Sequence, residues 1–197
     1  MDRVKELVMS VEDKVIEYRR SFHKYPEPGW TEFRTASVVV DTLQNLGYEV
    51  RYGKDAVTKE DMMGVPSDEE LAVFMERAVS QGANPEIVKN MEGGLTGVIA
   101  ELKCGEGPTF AFRFDMDSND IDEAKDDKHR PYREGFSSVN EKAMHACGHD
   151  GHTAMGLGLA EVLSNMKDDI KGTIRLIFQP GEEGVRGARA MVSAGAV

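Results

Sequence analysis

The eight residues His145-Ala146-Cys147-Gly148-His149-Asp150-Gly151-His152 contain three of the chain's five histidines and one of its two cysteines. Thiolate and imidazole together are ligands for zinc and related divalent ions. A lone Cys or His is more often a packing residue, so the clustering carries the argument. Small residues between the donors leave room, and Gly148 lets the backbone turn so that Cys147 and His149 face one centre. No second Cys pair exists, which disfavours a structural zinc knuckle. Glu182 and Glu183 follow the hydrophobic run Gly172 to Phe178 and a proline. Ligands bind outside the carboxyl ends of such strands. On extended backbone the two carboxylates would point to opposite sides, one to a metal and one to water. Taken alone, this pair reads equally well as a solvated acidic loop beside a helix start; beside the Cys/His cluster that reading loses. Asp115 and Asp117 end another strand and share a face at two-residue spacing. They either accept hydrogen bonds around the metals, orienting a histidine, or begin a turn.

The elements that position these groups follow from periodicity. Residues 3 to 23 carry Val4, Leu7, Val8, Val11, Val15, Ile16 and Phe22 at helical spacing. After Pro26 and Pro28, Thr31 is placed to cap a second helix that ends near Gly47. Tyr48 to Tyr52 alternates like a strand. Residues 54–93 are polar and read as a helical insertion over the sheet edge, with a Ser67/Glu70 capping box and Pro85 in a first turn after Asn84. Strands are predicted at Leu95 to Leu102 and Thr109 to Phe114, with a polar loop over 118–144. A helix is predicted from His152 to Met166, a buried strand over 172–178, and a last helix near Val185. Strands alternating with helices predict an α/β sandwich with an at least partly parallel sheet.

Composition narrows the function classes. With 197 residues, 40% hydrophobic and 30% charged, the chain suits one sizeable globular domain rather than a disordered or membrane segment. The net charge of −11 disfavours nucleic acid and anionic membrane as partners, and acidic residues gathered around cations would account for part of it. The N-terminus has no secretory pattern. Together with only two cysteines, Cys104 and Cys147, and a context favouring a free thiolate at Cys147, this points to the cytoplasm.

Phe22-His23-Lys24-Tyr25-Pro26-Glu27, Asp115-Met116-Asp117, Met144 through His152, and Phe178-Gln179-Pro180-Gly181-Glu182-Glu183-Gly184 resemble, in this order, the amidohydrolase branch of the metallopeptidase superfamily. That branch includes hippurate hydrolase, N-acyl-amino-acid hydrolases and auxin-conjugate hydrolases. Within it, Gly29 through Ala36, the helical insertion and His129 through Arg133 look most like the aminobenzoyl-glutamate hydrolases. The resemblance implies a zinc-exopeptidase-like α/β sandwich with a mixed sheet. It implies two divalent metal ions, zinc or manganese, with Cys147, His149 and Glu183 as ligands and Glu182 as general base. Asp115, Asp117, His145, Asp150 and His152 are expected around the metals or the substrate. The expected reaction is hydrolysis of an amide bond in a small N-acyl or N-aroyl amino acid, such as aminobenzoyl-glutamate. A homodimer, or a heteromer with a related subunit, is expected, and Arg130 and Arg133 are weak candidates for holding substrate carboxylates.

The family also uses two later histidine ligands and a lid domain, which do not occur in 1–197. The chain is therefore expected to be the N-terminal portion of a catalytic domain, inactive alone. The alternative is a catalytically incomplete metal-binding fragment or heteromer partner. A thiol redox role for Cys147 is disfavoured by the lack of a nearby resolving cysteine.

Overall fold

The computed structural model describes residues 2–197. The first helix, α1, spans Asp2–Lys24, and α2 spans Phe33–Asn45. Thr31 does not cap α2: its hydroxyl donates back to the Pro28 carbonyl, and no side chain bonds at the N-cap position. The free N–H groups of Arg34 and Thr35 instead donate to the buried Glu27 carboxylate at 2.9 and 2.8 Å, so a glutamate seven residues upstream does the capping. Gly47 ends the helix with φ 83°, as a left-handed C-terminal residue should.

Strand β1 (Glu49–Tyr52) leads into α3 (Asp68–Ser80) and α4 (Pro85–Lys89). The Ser67/Glu70 capping box is present in both directions, and Asn84 caps α4 ahead of Pro85. Both helices pack against α2 and each other. Strands β2 (Val98–Lys103) and β3 (Thr109–Asp115) follow. Next come the short α5 (Arg130–Arg133), then α6 (His149–Asn165), β4 (Thr173–Gln179) and α7 (Gly187–Ser193). Helix α6 begins three residues earlier than the periodicity indicates, because Gly148 takes φ 86° and turns the chain directly into it.

The sheet has the order β1-β2-β4-β3. β1/β2 and β2/β4 are antiparallel, whereas β3 and β4 run parallel across the α6 connection. The sheet is thus mixed, as expected. Strand alternation divides the core between its two faces. Val98, Ala100, Leu102, Ile174, Leu176 and Phe178 face the layer that includes α2 and α6. Ile99 and Ile177 face a smaller cluster with Trp30, Val57 and Met191 of α7. Strand β3 lies at the sheet edge with its first five residues exposed, among them Phe110 and Phe112. No helix among the described residues is long and apolar enough to cross a membrane.

One contact fixes how α6 lies on the sheet. An added Cβ at Gly156 would stand 2.8 Å from ring atoms of both Phe114 on β3 and Phe178 on β4. Gly156→Ala is expected to lower stability by about 1–3 kcal/mol through overpacking, read from the urea midpoint. An unchanged midpoint would contradict this account of α6 packing.

Candidate metal centre

Parallel strands β3 and β4 end side by side, with Asp115 opposite Gln179 in register. The chain leaves β3 through Met116 and Asp117, and leaves β4 through Pro180 into the turn bearing Glu182 and Glu183. The first turn of α6 rises against both. Cys147, His149 and Glu183 each offer a ligand atom within 4.8 Å of the others. Asn119 secures the loop before α6, its side-chain oxygen accepting from the N–H groups of Ala146 and Cys147 at 3.2 and 3.1 Å.

His149 is oriented for ligation. Its Nδ1 donates to the Asp117 carbonyl at 2.9 Å, with Asp117 Oδ1 3.3 Å away. That leaves Nε2 facing Glu182 Oε2 at 3.7 Å and Glu183 Oε1 at 4.0 Å. A carboxyl or carbonyl oxygen behind an imidazole is the usual support of a metal-bound histidine. Burial opposes charge on His149, but Asp117 outweighs it and holds the ring up to about 9. The Glu183 carboxylate likewise pushes the thiol of the exposed Cys147 up. Thiolate, imidazole and carboxylate fit a zinc-type ion, and the acidic surroundings fit a positive charge.

The glutamate pair is not arranged as an extended strand would place it. Val185 N donates to Glu182 O at 2.7 Å and Val185 has φ 55°, so the segment is a turn. Both carboxylates consequently reach the same imidazole rather than opposite sides. The turn is fixed from below by two buried acids. Asp117 Oδ2 accepts from Glu183 N at 2.9 Å, and Glu32 Oε1 accepts from Gly181 N at 2.8 Å. Glu32 also accepts from the Thr96 hydroxyl at 2.6 Å.

The remaining expected residues divide between two sides. Asp115 Oδ2 lies 3.2 Å from His152 Nδ1 and 3.1 Å from Arg113. His152 Nδ1 also accepts from Asp115 N–H, so that lone pair is already engaged. Asp150 turns away from the cluster to His23 Nδ1 at 2.8 Å. His145 is buried with both ring nitrogens unpartnered, and burial pushes it down to about 4. Arg130 and Arg133 of α5 are exposed and pair with Glu134, the residue that follows the helix. The supporting roles of Glu32 and Asn119 carry no local sequence signal, because each acts across a long stretch of chain.

Burial, followed by the nearby Asp117 charge, raises the Glu32 carboxyl from 4.5 to about 8. A folded value above the unfolded one gives stability that is present below about 4.5, is lost progressively as pH rises, and is gone above about 8. Urea midpoints of the metal-free protein should therefore fall from pH 5 to 8 more steeply for the wild type than for Glu32→Gln. Parallel curves would contradict this role.

Residues 111–197 match the family described as Peptidase family M20/M25/M40. One subunit of the p-aminobenzoyl-glutamate hydrolase of Escherichia coli K12 is 50% identical over 198 aligned residues, covering all of this chain and 45% of the relative. An aminobenzoyl-glutamate utilization protein from Klebsiella pneumoniae has a solved structure that superposes with TM-score 0.80 at 43% identity. That superposition covers 98% of this chain and 42% of that one. The Bacillus subtilis YxeP protein, described as a dinuclear metal-binding peptidase of the M20 family, superposes with TM-score 0.65 at 29% identity over 95% of this chain and 40% of its own. This chain thus spans less than half the length of the relatives it matches. Its mixed sheet and the Cys147-His149-Glu183 cluster at the strand ends go with a Peptidase family M20/M25/M40 domain, matched over residues 111–197.

Proposed function

We propose that this chain supplies part of the active site of a metal-dependent amidohydrolase acting on N-acyl or N-aroyl amino acids, with aminobenzoyl-glutamate as the leading substrate. The observation that carries the proposal is the convergence of Cys147, His149 and Glu183 within 4.8 Å at the ends of β3 and β4, with Glu182 facing the same imidazole. The names and the hydrolase family of the relatives support the reaction class.

In this reading Cys147, His149 Nε2 and Glu183 hold a divalent ion. Such ions, when bound, lower the pKa of water and polarise the scissile carbonyl. Glu182 is the general base: its carboxylate is half-exposed beside the ligands, free to take the proton of the attacking water and pass it to the departing amine. Asp117 keeps the proton of His149 on Nδ1, so that Nε2 stays available. Three donors with an open position suffice for one ion. A two-metal site, like that ascribed to the Bacillus subtilis relative, would need ligands beyond these three. Assembly with a related partner chain is part of the proposal, because the Escherichia coli relative is named as one subunit of its hydrolase.

Glu182→Gln keeps size and hydrogen bonding but removes proton acceptance. In an active, metal-loaded preparation, turnover of aminobenzoyl-glutamate should fall on the order of a hundredfold or more, with bound metal unchanged. Full turnover at full metal content would remove Glu182 from the role of base.

A further inference from the structure

We propose that His23, Glu123 and His129 form a second divalent-cation site, separate from the Cys147 cluster and independent of the hydrolase reading. His23 stands at the C-terminal end of α1. Glu123 and His129 belong to the polar 118–144 loop, so the site joins that loop to the helix. Their ligand atoms lie within 4.8 Å of one another. Glu123 Oε1 is 2.9 Å from His23 Nε2 and 2.6 Å from His129 Nε2. The other carboxylate oxygen accepts from Ser138 N. Two imidazoles and one carboxylate are a recognised zinc donor set, with a fourth position left open.

Two further observations are those that a cation site here requires. The first is on the far side of His23. Its Nδ1 is 2.8 Å from Asp150 Oδ2, and both groups are almost wholly buried. A carboxylate behind a ligating imidazole fixes the tautomer and aims the opposite nitrogen at a metal. With Nδ1–H committed to Asp150, the Nε2 lone pair of neutral His23 faces the acceptor Oε1 of Glu123. That contact is repulsive unless a second ring proton or a cation stands between them. A related arrangement occurs in the Cys147 cluster, where the Asp117 main-chain carbonyl stands behind His149.

The second observation is the cavity on the open side. A cavity of about 460 Å³ is lined by His23, His129 and His145, with Arg19, Arg20 and Arg130 at its wall. His145 is 5% exposed and neither ring nitrogen has a partner. A water or small anion completing the coordination shell would lie in this cavity, where His145 could bond to it. The arginines do not oppose the cation strongly, since Arg19 is paired with Asp150 and both Arg20 and Arg130 with Glu134. Metal–donor distances of about 2.0–2.2 Å in tetrahedral geometry place the donors roughly 3.3–3.5 Å apart. Loading therefore requires Glu123 Oε1 to separate by roughly half an ångström from His23 Nε2 and by roughly 0.7–0.9 Å from His129 Nε2, the larger shift falling on His129, whose side chain is the most exposed of the three.

The test removes the first cluster. Zinc content of dialysed Cys147→Ala/Glu183→Gln is expected to remain about one ion per chain. Adding His129→Gln is expected to weaken zinc binding at least tenfold with the far-UV circular dichroism unchanged. A zinc-free double variant, or a triple variant that binds as tightly as the double, would overturn the proposal. If His129→Gln disturbs folding, X-ray absorption of the zinc-loaded double variant decides. Two imidazoles with oxygen donors and no sulfur support the site; sulfur, or fewer than two imidazoles, overturns it.

Discussion

Asp117 is the residue on which the geometry of the site depends. It is almost wholly buried at the end of β3, and its main chain and side chain act on different partners. Its carbonyl receives the Nδ1–H of His149, and its Oδ2 receives the backbone N–H of Glu183. One residue therefore orients two of the three candidate ligands, which come from α6 and from the turn after β4. Parallel pairing makes this possible, because it brings the carboxyl ends of β3 and β4 to the same edge. The close seat of Gly156 against Phe114 and Phe178 then holds α6 at the height where His149 meets Asp117.

The electrostatics follow from that constraint. Asp115, Asp117, Glu182 and Glu183 converge around two histidines, and Glu32 lies beneath the same turn. In such a place protons are held tightly. His149 is raised to about 9 against the opposing effect of burial, and Glu32 is raised to about 8. Asp117 Oδ1 and Asp115 Oδ1 are buried without a hydrogen bond. A divalent cation bound to Cys147 and His149 would displace the protons those groups carry. Part of the chain's net charge of −11 is thereby explained as local design rather than general surface acidity.

Much of this was legible in the sequence because it is written locally. The α1 helix, the Ser67/Glu70 box, Asn84-Pro85 and the strands depend on residues a few positions apart, and each is present. The ligand cluster was legible for the same reason: Cys147 and His149 are two residues apart, and Glu182-Glu183 follow a strand end. The errors occur where distant contacts override local pattern. Thr31 looks like a cap, but Glu27 is better placed in space. Glu182 and Glu183 look like strand residues, but Asp117 and Glu32 hold their backbone in a turn. Asp150 sits within the metal motif yet pairs with His23, 127 positions earlier, which no periodicity reveals.

The central claim is that Cys147, His149 and Glu183 bind one ion together. X-ray absorption at the zinc edge of the loaded protein tests it most directly. The account predicts a zinc–sulfur distance of about 2.3 Å, lost in Cys147→Ser and retained in Cys104→Ser. A spectrum without sulfur in the wild type, or a sulfur signal that follows Cys104, would contradict it.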